Sequence, residues 1–177
     1  MVLAIGCIMM LLKPVVGDAQ VAGIQRESSM IDKKNLRELV VRPTLEEINL
    51  HSDAAEELVM LTFAQETKLG TYLRQGWKKL NDGRGVGLGI GSMEPKTFLW
   101  LRSLYYGILG SRNAKELVWD LRLAVITTRL RYLVIVEALP AANDIKGLAQ
   151  YWDRYYNGNP NAGTWQEAVA NYNELVK

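Results

Sequence analysis

The sequence predicts a mostly α-helical domain interrupted by one glycine-rich loop or short hairpin, and three observations carry that prediction. Apolar residues recur at helical spacing through most of the chain after residue 35. Capping-box pairs, a short polar residue followed three positions later by glutamate, stand ahead of several of these runs. Between them "NDGRGVGLGIGSMEP" (81–95) breaks all periodicity.

Residues 1–35 read as an appendage: an apolar run from Val2 to Leu12, several glycines, and polar "QRESSMIDKKN" (25–35). Eleven apolar residues are too few to span a bilayer as a helix. Nothing basic precedes the run, as the start of a signal peptide requires. The expectation is an arm packed on its own domain or on a neighbouring subunit, with an anchor or export signal as the alternative. Residues 36–177 read as one domain. Thr44 with Glu47, after Pro43, forms a capping-box pattern, and Asp53 with Glu56 repeats it ahead of the Leu58–Leu69 stripe. Asn113 with Glu116 is predicted to open one long buried helix over 114–139, closed by Pro140. The runs "VITT" and "YLVIV" within it also suit strands, but no turn residue separates them. Asp144 caps a helix over "IKGLAQYWDRYYN", and Thr164 with Glu167 caps the last, "WQEAVANYNELV".

With 21 basic and 19 acidic residues, the whole-chain charge makes no case for nucleic acid or an anionic membrane surface. Cys7 and His51 are single occurrences, which excludes disulfide frameworks, zinc clusters and histidine-based triads within one chain. No metal or cofactor is expected. Glycines 83, 85, 87, 89 and 91 alternate, but no window has the G-x-G-x-x-G spacing of a dinucleotide fingerprint, and no Gly-Lys-Ser/Thr follows. Two readings stay open: a flexible loop, or a bare backbone wall for an extended polymer.

Within "LTFAQETKLG" (61–70), Val59, Thr62, Phe63 and Glu66 fall at i, i+3, i+4 and i+7, so a carboxylate interrupts an apolar stripe near a helix end. A carboxylate there needs a partner or a task. Arg122, Arg129 and Arg131 on the predicted long helix are candidate partners. The alternative is acid catalysis: burial against Phe63 and nearby aromatics raises a carboxyl pKa and keeps it protonated near neutrality, as breaking a glycosidic bond requires. Asp82 and Glu94 are candidates for a second carboxylate, the first reading better as a turn residue and the second as a contact near Pro95. Tyr151, Trp152, Tyr155 and Tyr156 have the spacing of core aromatics, with tyrosine tips able to reach a sugar. Trp77, Trp100, Trp119 and Trp165 are predicted to pack.

The order of these pieces resembles the lysozyme-like fold of the soluble lytic transglycosylases and goose-type lysozymes. Glu66-Thr67 stands for that family's Glu-Ser pair, "GIGSMEP" (89–95) for its sugar-groove loop, and Tyr156-Asn157 for its late Tyr-Asn motif. The chain is similar, more closely, to small phage-encoded lysozyme-like proteins through "AQETKLGTYLRQ" (64–75), "GIGSMEPKT" (89–97), "AQYWDRYYN" (149–157) and "GT" (163–164). The resemblance runs from about Pro43 to Tyr172. It departs in two places: Thr67 replaces serine, and Ser92 stands where glutamine is expected, which removes a longer hydrogen-bonding arm. The resemblance implies Glu66 as general acid/base, with Gly89, Gly91, Ser92, Met93, Tyr156 and Asn157 lining the substrate. It implies a peptidoglycan glycan strand as that substrate, whose own N-acetyl group takes the nucleophile's part. It further implies no cofactor, a place in the phage particle, and other virion proteins as partners, with self-association through the N-terminal arm as one form. Two other readings stand beside it: an inactive structural or adaptor subunit of the particle, and a free cytoplasmic endolysin.

Overall fold

A computed structural model describes residues 31–74, 86–157 and 163–177; the apolar run Val2–Leu12, Trp77 and Asp82 lie outside them. The described chain is mostly helical, and its only β-features are isolated bridges. The helices are α1 (Lys33–Asn35), a π-helical segment (Leu36–Val41), α2 (Arg42–Glu47), α3 (Asp53–Thr67), α4 (Pro95–Leu104), α5 (Tyr106–Leu109), a 3₁₀ turn (Ala114–Val118), α6 (Leu121–Leu133), α7 (Ile145–Tyr155) and α8 (Trp165–Leu175). None of these is long and apolar enough to cross a membrane.

Helix α3 is the centre. It packs against the π segment, α6, α7 and α8, and every residue from Leu58 to Ala64 is buried. A helix buried on all sides has no polar face to show, so its sequence carries little amphipathic signal. Fully burying side chains such as Leu58, Leu61 and Phe63 stabilises the fold by about 1.5–3 kcal/mol each. The N-cap is Ser52, whose hydroxyl accepts from the Ala55 N–H at 3.1 Å, rather than the expected Asp53. That leaves Glu56 free of capping, and it is buried instead among cations. It accepts from Arg37 (2.8 Å) and Arg42 (2.9 and 3.0 Å), with the His51 ring at 3.1 Å. Thr44 is likewise no cap; it is buried inside α2, which continues directly from the π segment.

The predicted helix over 114–139 is divided. The Asn113–Glu116 capping box forms as expected but opens only the 3₁₀ turn. Asp120 then accepts from the Leu123 N–H at 2.9 Å and starts α6, which ends at Leu133, well before Pro140. Asp144 and the Thr164–Glu167 box cap α7 and α8 where the sequence places them. Trp165 is half-buried against the core, whereas Trp100 and Trp119 are 42% and 69% exposed, contrary to the packing role expected of them.

Candidate functional site

Glu66 is the penultimate residue of α3. Just beyond it the chain turns sharply, with Lys68, Leu69 and Gly70 all at positive φ. The Leu69 N–H bonds back to the Phe63 carbonyl at 3.1 Å, a Schellman-type closure. Two consecutive non-glycine residues in the left-handed region store strain of about 1–2 kcal/mol each next to Glu66. The buried Thr67 hydroxyl holds this turn. It accepts from the Gly70 N–H at 3.0 Å and donates to the Ile90 carbonyl at 2.7 Å, fastening the 88–93 turn to the end of α3.

The 88–93 turn is closed by reciprocal bonds between Leu88 and Met93, each 3.0 Å, and by the Ser92 N–H to the Gly89 carbonyl at 3.0 Å. Its glycines answer to the protein. Gly89 has φ +70, and a Cβ there would lie 2.1 Å from the Leu117 carbonyl oxygen. At Gly91 a Cβ would meet Thr128 Oγ1 at 2.6 Å and the Tyr156 hydroxyl at 3.1 Å. The bare backbone is thus required by close packing inside the domain. Gly89→Ala is expected to lower stability by more than about 2 kcal/mol, read as a drop in the urea midpoint, because it adds left-handed strain to a backbone clash. A midpoint equal to wild type would show that this approach is not made.

Helix α7 supplies the other side. Trp152 and Tyr156 are four residues apart, on one helical face. The Trp152 Nε1–H donates to Glu66 Oε1 at 3.0 Å. The Tyr156 hydroxyl donates to the Gly91 carbonyl at 2.7 Å, and its ring lies 5.3 Å from that of Tyr132. Tyr132 is buried and shares a 2.7 Å hydrogen bond with Thr62. Burial pushes Glu66 up to about 7 against the opposing hydrogen bond from Trp152. Burial also raises both tyrosines, with the Glu66 charge adding to the effect, so their hydroxyls stay protonated. Among the described residues no cation pairs with Glu66. Arg122 pairs with Glu47, Arg129 donates to the Leu50 carbonyl at 3.2 Å, and Arg131 stacks on Trp100.

The sequence-derived candidates fall into groups. The Glu66 charge acts on the Tyr156 hydroxyl, which donates to the Gly91 carbonyl, and Gly89 and Ser92 frame the turn. Met93 is a core side chain, so it offers substrate only its backbone. Asn157 donates to Asp153 (3.1 Å) and to the Gly163 carbonyl (3.0 Å), tying α7 to the start of α8. Glu94 is exposed at the start of α4. The sequence reads Trp152 as packing, and it is buried; its hydrogen bond to Glu66 has no local signal. Among the described residues no group of acids, histidine and cysteine could hold a metal.

No protein-family model, curated protein or solved structure matches the chain. A carboxyl raised to about 7 and held by one indole N–H can carry a transferable proton near neutral pH.

Proposed function

We propose that the chain is a phage virion-associated protein of lysozyme-like fold that cleaves peptidoglycan glycan strands locally during cell-wall penetration. The observation that carries this reading is Glu66 itself: a half-buried carboxyl at a helix end, raised to about 7, with an indole N–H to fix its rotamer. Of the two candidates for a second carboxylate, Glu94 is exposed at the start of α4 and Asp82 lies outside the described residues; the proposed reaction uses the substrate's own N-acetyl group as internal nucleophile. In that reaction Glu66 protonates the glycosidic oxygen as the N-acetyl oxygen bonds to C1 and the C1–O bond breaks, and the carboxylate left behind takes its proton back from the water or sugar hydroxyl that then attacks C1. Neutral Tyr156 and Tyr132 keep the surroundings polar without adding charge.

The test is digestion of purified peptidoglycan sacculi with the full chain, scored by soluble fragments across a pH series. Activity is expected to fall as pH rises through about 7, because the acid must be protonated. Trp152→Phe removes the bond that lowers the Glu66 pKa, so the alkaline limb should move to higher pH while the maximal rate drops. Absence of any fragment release, with the fold intact, would sink the enzymatic reading. It would favour the second one, an inactive adaptor subunit. One observation supports that alternative: Ser92, in place of a longer amide, packs over Gly87, where a Cβ would lie 2.2 Å from the serine Oγ.

A further inference from the structure

Helix α4 turns an apolar stripe toward water. Its inward face is Phe98 and Leu101, both fully buried. Its outward residues, Lys96, Leu99, Trp100, Ser103 and Leu104, lie at i, i+3, i+4, i+7 and i+8, the spacing by which a helix ordinarily packs on a core. Leu99, Trp100 and Leu104 are 50%, 42% and 54% exposed, and α5 continues the surface with Tyr106 and Ile108 at 65% and 42%. Single exposed apolar residues are ordinary, but a run along one helix face marks an interaction site.

The charge around this face is mostly basic, with exposed Glu94 at the start of α4 as an acidic neighbour. From Pro95 to Lys115 there are four basic residues, Lys96, Arg102, Arg112 and Lys115, and no acidic one, in a chain whose total is only +2. Arg112 is engaged by Glu116 and Asp120. Lys96 and Lys115 are exposed, and Arg131 sits 5.8 Å from the Trp100 ring centroid. Aliphatic side chains, an indole and a phenol bordered by cations are the composition of segments that lie in the headgroup region of an anionic bilayer. We propose that the α4–α5 face docks on an anionic phospholipid surface, lying in the interface without spanning it. Basic side chains there meet lipid phosphates while Leu99, Trp100, Leu104 and Ile108 enter the acyl boundary.

The inference is independent of glycan cleavage, and Glu66→Gln should dock as the wild type does. The experiment is flotation of the full chain with phosphatidylcholine vesicles and with vesicles that also contain phosphatidylglycerol. Binding is expected only to the anionic vesicles, with weakening in about 1 M salt, where screening reaches ~3 Å. The combined change Leu99→Ser, Leu104→Ser and Ile108→Ser alters exposed positions, so circular dichroism should be unchanged, and partition should fall at least about tenfold. On anionic vesicles the indole emission should shift to shorter wavelength, and Trp100→Phe should remove most of that shift. The proposal is overturned if anionic vesicles are not bound, or if the triple variant binds them equally well, which would point to another segment. It is also overturned if the variant merely abolishes self-association seen by sedimentation, which would make this face a contact between copies.

Discussion

Glu66→Gln is expected to lower glycan cleavage by about 10²–10⁴-fold, the usual contribution of a positioned proton donor, while leaving binding to sacculi nearly unchanged. The amide oxygen can still accept from Trp152, so the geometry survives and only the transferable proton is lost. The same variant should be more stable than the wild type in alkali. The folded-state pKa of Glu66 is raised to about 7, so the stability it contributes is complete below its unfolded value near 4.5 and is lost as pH rises through about 7. An amide escapes that loss, and a gain of about 2 kcal/mol near pH 8 should appear in urea titrations. Residual activity within a few-fold of wild type, or no alkaline gain in stability, would remove Glu66 from its assigned role.

The second large effect concerns the other glutamate of α3. Glu56→Ala should destabilise the domain by about 3 kcal/mol, toward the low end for breaking a buried ion pair because Arg42 remains half in water. Burial works to raise the Glu56 pKa, but hydrogen bonds from Arg42, Arg37 and His51 prevail and pull it down to about 2. Its contribution is therefore present above the unfolded value near 4.5 and is lost as pH falls toward about 2. The wild type should lose stability steeply over that acid window, and the variant should lose much less. Equal acid slopes in the two proteins would mean that the arginine cluster contributes nothing to the fold.

These two glutamates also show what the sequence makes legible. Helices α7 and α8 could be read because Asp144 and the Thr164–Glu167 pair cap them locally, with no help from the rest of the fold. Glu66 could be read as a misfit on an apolar run. Its partner could not, because an indole at a fully buried position on a helix looks like packing until a carboxyl 86 residues away is found on its N–H. Glu56 is hidden for the opposite reason. Ser52 and Asp53 are adjacent and both cap well, so a one-residue choice decided whether the following glutamate was a capping group or a buried anion. The break before α6 was hidden because Asp120 stands between apolar residues on both sides, Leu117–Trp119 and Leu121, with no glycine or proline to mark it. The alternation of glycines suggested an open polymer wall; their contacts with Leu117 and Thr128 depend on tertiary packing that no local pattern announces.

The π-helical segment has a consequence for how the chain length can vary. Arg37 and Arg42 are five residues apart, and ordinary α winding would set them about 140° apart around the axis. The wider turn, closed by the Arg42 N–H on the Arg37 carbonyl, brings both to one side, where both reach Glu56; Leu36 and Val41, also five apart, are buried in the same way. Loss of one residue between them would leave each pair four apart in regular α winding, still on a common face. Gain of one would swing the second member about 100° away. The first helical stretch is therefore one-sided toward insertions and deletions: it can be shortened by a residue into a plainer helix, but it cannot be lengthened without releasing an arginine from the buried carboxylate.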